Sequence, residues 1–318
     1  MKSLKNFFKL FALLILMSPL AAKAQDTTFN DNGLNFTLTD AIVRNHFDYK
    51  AILQRIKEDT SFYKAFKTLR TIGYSSYNHI EMKNTEGRML ASLDSKTRQN
   101  HFGRCRSMDV LDEKVVGNLR KSDGSYNYMT ASLYASLFFT KDKDTVCGET
   151  NIVAGKKRVV SGTGIEKAKE QLKMLFFNPG KKIPGIPFVG NKLDLYDETA
   201  HELYDYKLDY VEYQGQLVYM FEVKPKEDLG FFAKNDVVVD QMITWFNPKT
   251  LEVLGRNYSL SYKAGVYDFN VAMEVQMTYF NGQLVPQTLR YKGNWDVAFK
   301  KREIGLFTAT LFDFNKGQ

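Results

Sequence analysis

Residues 204–226 read YDYKLDYVEYQGQLVYMFEVKPK, and their alternation decides the architecture. Before Gln214-Gly215, Tyr204, Tyr206, Leu208 and Tyr210 share one face, and Asp205, Lys207 and Asp209 take the other. After it, Leu217, Tyr219, Phe221 and Val223 share a face. A period of two marks a strand with one side in a core. An even-numbered face meets an odd-numbered one only across a loop with an even number of residues. A two-residue Gln214-Gly215 turn is therefore predicted, with the glycine in the positive-φ region that such turns require. The predicted pairs are Tyr210 with Tyr219, Leu208 with Phe221, and Tyr206 with Val223.

Downstream, YDFNVAMEVQMTY keeps Tyr267, Phe269, Val271, Met273, Val275, Met277 and Tyr279 on one face and polar or small residues on the other. The next run holds Leu289, Tyr291, Trp295, Val297 and Phe299 on its odd face, so an odd offset is needed. A three-residue loop, Phe280-Asn281-Gly282, is predicted, with Gly282 left-handed in a bulge. It sets Met273 against Leu289, Val271 against Tyr291, Tyr267 against Trp295 and Phe269 over Gly293, and Pro286 then needs an edge or a bulge. Between the two hairpins, DVVVDQMITWF and LEVLGRNYSLSY are joined by Asn247-Pro248-Lys249-Thr250, with proline at the second turn position. Strands this long tend to curl. The fold class expected is α+β: a curved antiparallel meander, half of a barrel, with helices and a loop on its concave side.

The covering elements are upstream. One helix is predicted over TDAIVRNHFDYKAILQRIKED, behind Thr39 or Asp40, with Ile42, Tyr49, Leu53 and Ile56 on one face, and a second over SFYKAFKTLR with Phe62, Ala65, Phe66 and Leu69 inward. After Gly73 the period becomes two (Tyr74, Ser76, Asn78, Ile80, Met82), and a turn at Asn84 to Gly87 leads to a partner strand, RMLASLDS. Ser122-Asp123-Gly124-Ser125 reads as a hairpin turn, and TASLYASLFF as a short buried helix. Thr163-Gly164-Ile165-Glu166 fits a capping box for a helix over residues 165–177. The segment NPGKKIPGIPFVGNK then carries three prolines and three glycines, which exclude a central strand or helix, yet holds Ile183, Ile186, Phe188 and Val189. An apolar loop of this kind has to cover something.

The N-terminus, MKSLKNFFKLFALLILMSPLAAKAQ, has Lys2 and Lys5 ahead of an apolar stretch and Ala22-Lys23-Ala24 at the cleavage position. Residues 1–24 read as a secretory signal peptide, and residues 25–318 as one half-barrel-like domain, exported to the periplasm or the outer-membrane periphery. Removing the leader takes four lysines and no acid, which lowers the formal charge from +8 to +4. That balance, without a long basic run, argues against nucleic-acid binding. In an oxidising compartment the only two cysteines, Cys105 and Cys147, are expected to be bridged; the alternative is two separate buried thiols.

The order of helix, antiparallel meander, and helix with apolar loop resembles the half-barrel of the periplasmic lipoprotein carrier and receptor proteins, LolA and LolB. YDYKLDYVEYQGQLVYMFEVKPK followed by MITWFNPKTLEVLGRNYSLSY is similar to the domain preceding the outer-membrane barrel in Bacteroidota proteins with a carboxypeptidase-regulatory-like domain, and to stand-alone exported proteins of that phylum. The resemblance covers roughly residues 40 to 310. It implies a half-barrel fold and an apolar groove, and it transfers no functional residue.

Catalytic patterns are not assembled in the sequence. His46, His79, His101 and His201 are scattered, with neither HExxH nor a second histidine at helical spacing, and no GxSxG elbow occurs. No metal or cofactor is expected. Asp194, Asp197 and Glu198, and Asp205 with Asp209, cluster as calcium or acid/base groups do, and also as acids alternating on a wet strand face do. Trp245, Tyr258, Tyr262, Tyr267, Phe269 and Trp295 are either ordinary core or the lining of a groove for a lipid, an acyl chain or another apolar ligand, with Ile183, Ile186 and Phe188 in a lid over it. The expected function is a non-enzymatic envelope binding protein. The alternative is an envelope interaction module with a fully packed core, docking an outer-membrane or other envelope protein.

Overall fold

The computed structural model describes residues 26–31, 34–44, 48–140, 144–148, 173, 175–182, 192–197, 199–264, 267–297 and 302–317. In chain order these residues form a hairpin of β1 (Thr27–Asp31) and β2 (Leu34–Leu38), then helices α1 (Asp40–Arg44), α2 (Tyr49–Lys57) and α3 (Ser61–Leu69). A first meander follows: β3 (Gly73–Lys83), β4 (Met89–Phe102) and β5 (Cys105–Gly117). Helix α4 (Met129–Phe138), strand β6 (Val146–Cys147) and the one-turn α5 (Ala200–Leu203) lead to a second meander. It comprises β7 (Tyr204–Tyr213), β8 (Gln216–Pro225), the one-turn α6 (Phe231–Lys234), β9 (Val239–Phe246), β10 (Val253–Ala264), β11 (Tyr267–Phe280), β12 (Gln283–Val297) and β13 (Glu303–Asn315).

The thirteen strands lie in one open, curved sheet, in the order β1-β2-β7-β8-β9-β10-β11-β12-β13-β3-β4-β5-β6. Every pair is antiparallel except β2 with β7. The last strand, β13, is hydrogen-bonded to β12 on one side and to β3 on the other, so it welds the two meanders into a single surface. At the far edge Cys105 and Cys147 face each other across β5 and β6 and are disulfide-bonded.

The 204–225 hairpin has the predicted register, with Tyr210 opposite Tyr219, Leu208 opposite Phe221 and Tyr206 opposite Val223. Gln214 and Gly215 both have positive φ, 52° and 76°, as the two central positions of a type I′ turn require. The β11–β12 register differs from expectation. Phe280 pairs with Gln283 across a two-residue Asn281-Gly282 turn, and Met273, Val271, Tyr267 and Phe269 face Tyr291, Gly293, Val297 and Trp295. The odd offset comes from elsewhere. The register shifts between Gln276, opposite Thr288, and Met277, opposite Pro286, so Gln287 is the extra residue of a bulge. Proline has no amide to give the ladder, and the bulge forms beside it.

One sheet face is buried along most strands, whereas β5 is exposed on both faces from Val110 to Gly117. Along β11, Phe269, Val271, Met273, Val275 and Met277 are buried, while Asn270, Ala272 and Glu274 are exposed. Two ends depart from the alternation: Leu217 and Tyr279 lie at hairpin tips and are 55% and 42% exposed. Helices cover the inner face. In α3 the inward residues Phe62, Ala65, Phe66 and Leu69 are all buried, as their spacing predicts. The single helix expected from Thr39 to Asp59 is two. Thr39 accepts the amides of Ile42 and Val43 to start α1, and the Asp48 carboxylate accepts the Ala51 amide at 3.1 Å to start α2 afresh, since an aspartate at that position favours a new N-terminus over continuation. TASLYASLFF forms α4 up to Phe138, with Phe139 already extended, and Tyr134 packs against Tyr291 and Phe307 at 4.9 and 5.0 Å.

The inner-face tyrosines have a second role that phenylalanine could not fill. Tyr206 donates to the Leu195 carbonyl at 2.7 Å, Tyr258 donates to the Phe176 carbonyl at 3.1 Å, and the Tyr204 hydroxyl accepts the Val238 and Val239 amides, each at 3.2 Å. The covering segments at Phe176 and Leu195 are thus pinned to the sheet by phenolic hydroxyls, and Tyr204 fixes the start of β9. This supplies partners for backbone groups that burial would otherwise leave unpaired.

Candidate functional site

The aromatic residues singled out from the sequence do not converge on one place. Tyr262, Phe269 and Trp295 form a buried group on the inner face, with Phe269 5.0 Å from Trp295 and 6.2 Å from Tyr262. The Trp295 indole donates to the Tyr291 hydroxyl at 2.7 Å. Lys192 places its ammonium 5.2 Å from the Tyr262 ring. Tyr258 is buried four residues along β10 from Tyr262, opposite Met273, and Tyr267 stands at the start of β11 opposite Ala264 and Val297. Trp245 is on the other face. It stacks on Tyr213 at 4.4 Å with an interplanar angle of 11°, because its strand neighbours Met242, Thr244 and Phe246 are the buried ones. Ile183, Ile186, Phe188 and the capping box at 163–166 lie outside the described residues.

A cavity of about 330 Å³ opens elsewhere on the inner face. Its floor is sheet: Phe221 from β8, Met242, Thr244 and Phe246 from β9, and Arg256 from β10. Its roof is Ile56, Phe62 and Tyr63 from α2 and α3, and its sides are the 178–181 turn with Leu195 and Tyr196. Lys64, which is exposed, and the half-buried Lys67 and Lys181 complete the lining toward solvent. Lys67 and Lys181 lie over the rings of Tyr63 and Tyr196, at 4.8 and 4.6 Å from their centroids. Gly180 has φ +79°, and a Cβ there would come within 2.9 Å of Leu195 and 3.1 Å of Met242, so only glycine fits where this turn touches the cavity wall. A polar depression of about 440 Å³ shares Asp59, Thr60 and Lys64 with the cavity and runs toward Gly282.

Arg256 is the one charged side chain of the floor. Its Nε donates to Thr244 Oγ1 at 3.0 Å, its guanidinium lies 4.5 Å from the centroid of the Phe62 ring, and its Nη2 is 3.8 Å from Asp59 Oδ2. Both charged side chains are nearly buried, at 11% and 8% exposed. Burial pushes the Arg256 pKa below its ordinary value, and Asp59, Tyr196 and Tyr258 pull it back up. The Tyr196 hydroxyl is raised by burial, with Arg256 opposing. A buried polar pair in a wall of phenylalanine, methionine and leucine is what fixes the orientation of a ligand in an otherwise apolar site. The signal was present in the sequence. Arg256 interrupts the even-numbered face that carries Leu254, Tyr258, Leu260 and Tyr262, and a charge on the apolar face of a strand marks a position with a partner.

Three acids of the two clusters have local partners, and Glu198 lies outside the described residues. Asp194 accepts the Tyr196 amide, and Asp197 accepts from Thr199 and Ala200, which starts α5. Asp209 accepts the Thr39 hydroxyl, and Asp205 is exposed. Among the described residues no group of three or more His, Cys, Asp or Glu could hold a metal ion. Among them, too, no helix is long and apolar enough to cross a membrane.

No protein-family profile matches this chain, and no curated protein matches it. Solved structures similar to it at low identity include the following three. A DUF1329 family protein from Desulfovibrio piger is 13% identical over 80% of this chain and 93% of its own, with a TM-score of 0.23. A domain assigned to outer membrane lipoprotein sorting in Vibrio parahaemolyticus is 9% identical over 81% of this chain and 92% of its own, with a TM-score of 0.27. Lipovitellin is 6% identical over 78% of this chain and 26% of its own, with a TM-score of 0.24. TM-scores in this range carry no property from those proteins to this one.

Proposed function

We propose that this chain is a non-enzymatic binding protein of the cell envelope, exported by residues 1–24, that holds an apolar ligand such as a lipid acyl chain against the concave face of its sheet. The observation that carries this reading is the cavity of about 330 Å³ between α2, α3 and the β8–β10 floor. Its size falls at the lower end of the range for small-molecule pockets, and aromatic and aliphatic side chains dominate its wall. Protein purified from its native envelope and extracted with organic solvent tests the reading by mass spectrometry. Co-purifying lipid that is depleted in a cavity-filling Met242→Trp variant supports it. Reproducible absence of lipid from the wild type overturns it.

A second reading, an envelope interaction module, is favoured by one observation. Phe231 and Phe232 are 77% and 85% exposed on α6, between β8 and β9. Two adjacent phenylalanines held in water in this way suit a protein contact. In that case a Phe231→Ser/Phe232→Ser double variant loses an envelope partner recovered by crosslinking with the wild type, and lipid content is unchanged.

A further inference from the structure

A hydrocarbon ligand alone leaves Arg256 without a purpose. Among the described residues, the guanidinium makes one hydrogen bond, from Nε to Thr244 Oγ1. Arginine has five N–H donors, so the four on its terminal nitrogens find no acceptor among the described residues of the wall. The nearest carboxylate oxygen, Asp59 Oδ2, is 3.8 Å from Nη2, beyond hydrogen-bonding distance. Asp59 is also committed elsewhere: its Oδ1 accepts the Ser61 amide at 2.9 Å at the start of α3. The side chain is nonetheless 11% exposed and lines the cavity. Asp59 thus lies at ion-pair distance, and a guanidinium in an apolar wall whose terminal N–H groups meet no hydrogen-bond acceptor among the described residues can receive a planar anion.

The charge of the lining points the same way. Of the described residues that line the cavity, four are cationic (Lys64, Lys67, Lys181, Arg256) and one, Asp59, is anionic. Three of the cations stand toward solvent, so an incoming anion is attracted at the mouth and meets the guanidinium inside. The volume excludes a bulky two-chain lipid lying wholly within the cavity, whereas a single chain with a compact head suits it.

We propose that the ligand of this cavity is a single-chain carboxylate amphiphile, its carboxylate paired with the terminal nitrogens of Arg256 and its chain lying along Phe62, Phe221, Met242 and Phe246. This assignment rests on the reading of the cavity as an apolar binding site and names the head group that it takes. Dodecanoate and 1-dodecanol have the same chain and differ only at the head. Titrated calorimetrically into the full mature chain, dodecanoate binds about ten-fold tighter than dodecanol, the difference expected of a charge-assisted, bidentate pair. In Arg256→Met the two bind within about two-fold of each other, the ten-fold preference for the carboxylate having gone. Equal affinities in the wild type overturn the head-group assignment and leave the apolar cavity standing, with no variant needed to read the result. Binding of neither compound overturns both.

Discussion

The Glu303 carboxylate accepts both the amide and the hydroxyl of Thr130, at 2.8 and 2.7 Å, although 173 residues separate them. The same carboxylate takes the Met129 amide at 2.9 Å. An acid from the first residue of β13 therefore caps α4, with its charge against the positive end of the helix dipole. Glu303→Ala is expected to cost about 1–2 kcal/mol, the range of a lost N-cap, read as a shift in the urea midpoint. Glu274→Ala, on the wet face beside Arg290, is expected to change stability by less than about 0.5 kcal/mol. Equal effects of the two would refute the capping role.

The Cys105–Cys147 bridge ties β6 to the last paired edge of the sheet and closes 42 residues that include α4. On the chain-entropy account a loop of that length is worth roughly 3–4 kcal/mol. Cys105→Ser/Cys147→Ser should lose stability of that order, and reductant should lower the wild-type urea midpoint without affecting the double variant. A wild-type midpoint insensitive to reductant would show that the bridge contributes nothing.

The hairpin at 204–225 was legible because large residues fill its inner face and charges its outer one, so parity alone fixed its turn. The same logic placed α3 and β3. It missed β13, whose inward face alternates Gly305 and Ala309 with Phe307 and Leu311 while Leu306 and Phe312 face outward, so large residues stand on both sides and the period is hidden. Gly305 is small because of α4: a Cβ there would come 2.9 Å from Thr130 Cγ2. The β11–β12 offset was read correctly as odd, but its source at Gln287 is a local effect of Pro286 that parity cannot locate. Residue size also misled at β9. Trp245 reads as core or groove lining, yet it is its strand neighbour Thr244 that lies on the inner face. Thr244 is buried because it receives Arg256, a contact set by the neighbouring strand.

Burial raises the hydroxyl pKa of Tyr204, Tyr206 and Tyr258 above the ordinary value of 10.0. An unfolded chain ionises these groups near pH 10 while the folded one keeps them protonated. The folded state then binds more protons, and stability falls with rising pH. Below the unfolded pKa the contribution is fully present. The urea midpoint is expected to stay level from about pH 7 to 9 and to drop above about pH 10, with a component of the tyrosinate absorbance appearing together with unfolding. A midpoint that stays level through about pH 11 would show that these hydroxyls are not held neutral by the fold.

On the outer face, Gly255 makes room for the Tyr213–Trp245 stack. A Cβ on Gly255 would lie 2.3 Å from the Tyr213 hydroxyl oxygen, and Gly255 sits directly opposite Trp245 in the ladder. Gly255→Ala must therefore push Tyr213 off the indole. Trp245 and Trp295 are the only tryptophans, so a Trp295→Phe background isolates the signal. In that background Gly255→Ala is expected to shift Trp245 emission toward that of solvent-exposed indole and to cost about 0.5–1.5 kcal/mol, the worth of an aromatic pair. Tyr213→Ala should do the same, and the double variant should add little to either, since both remove one contact. Additive losses would mean that Gly255 acts through the backbone instead. Because this stack is on the side of the sheet away from the cavity, Trp245→Ala should leave dodecanoate affinity unchanged, and a loss of binding would return Trp245 to the ligand site that its size suggests.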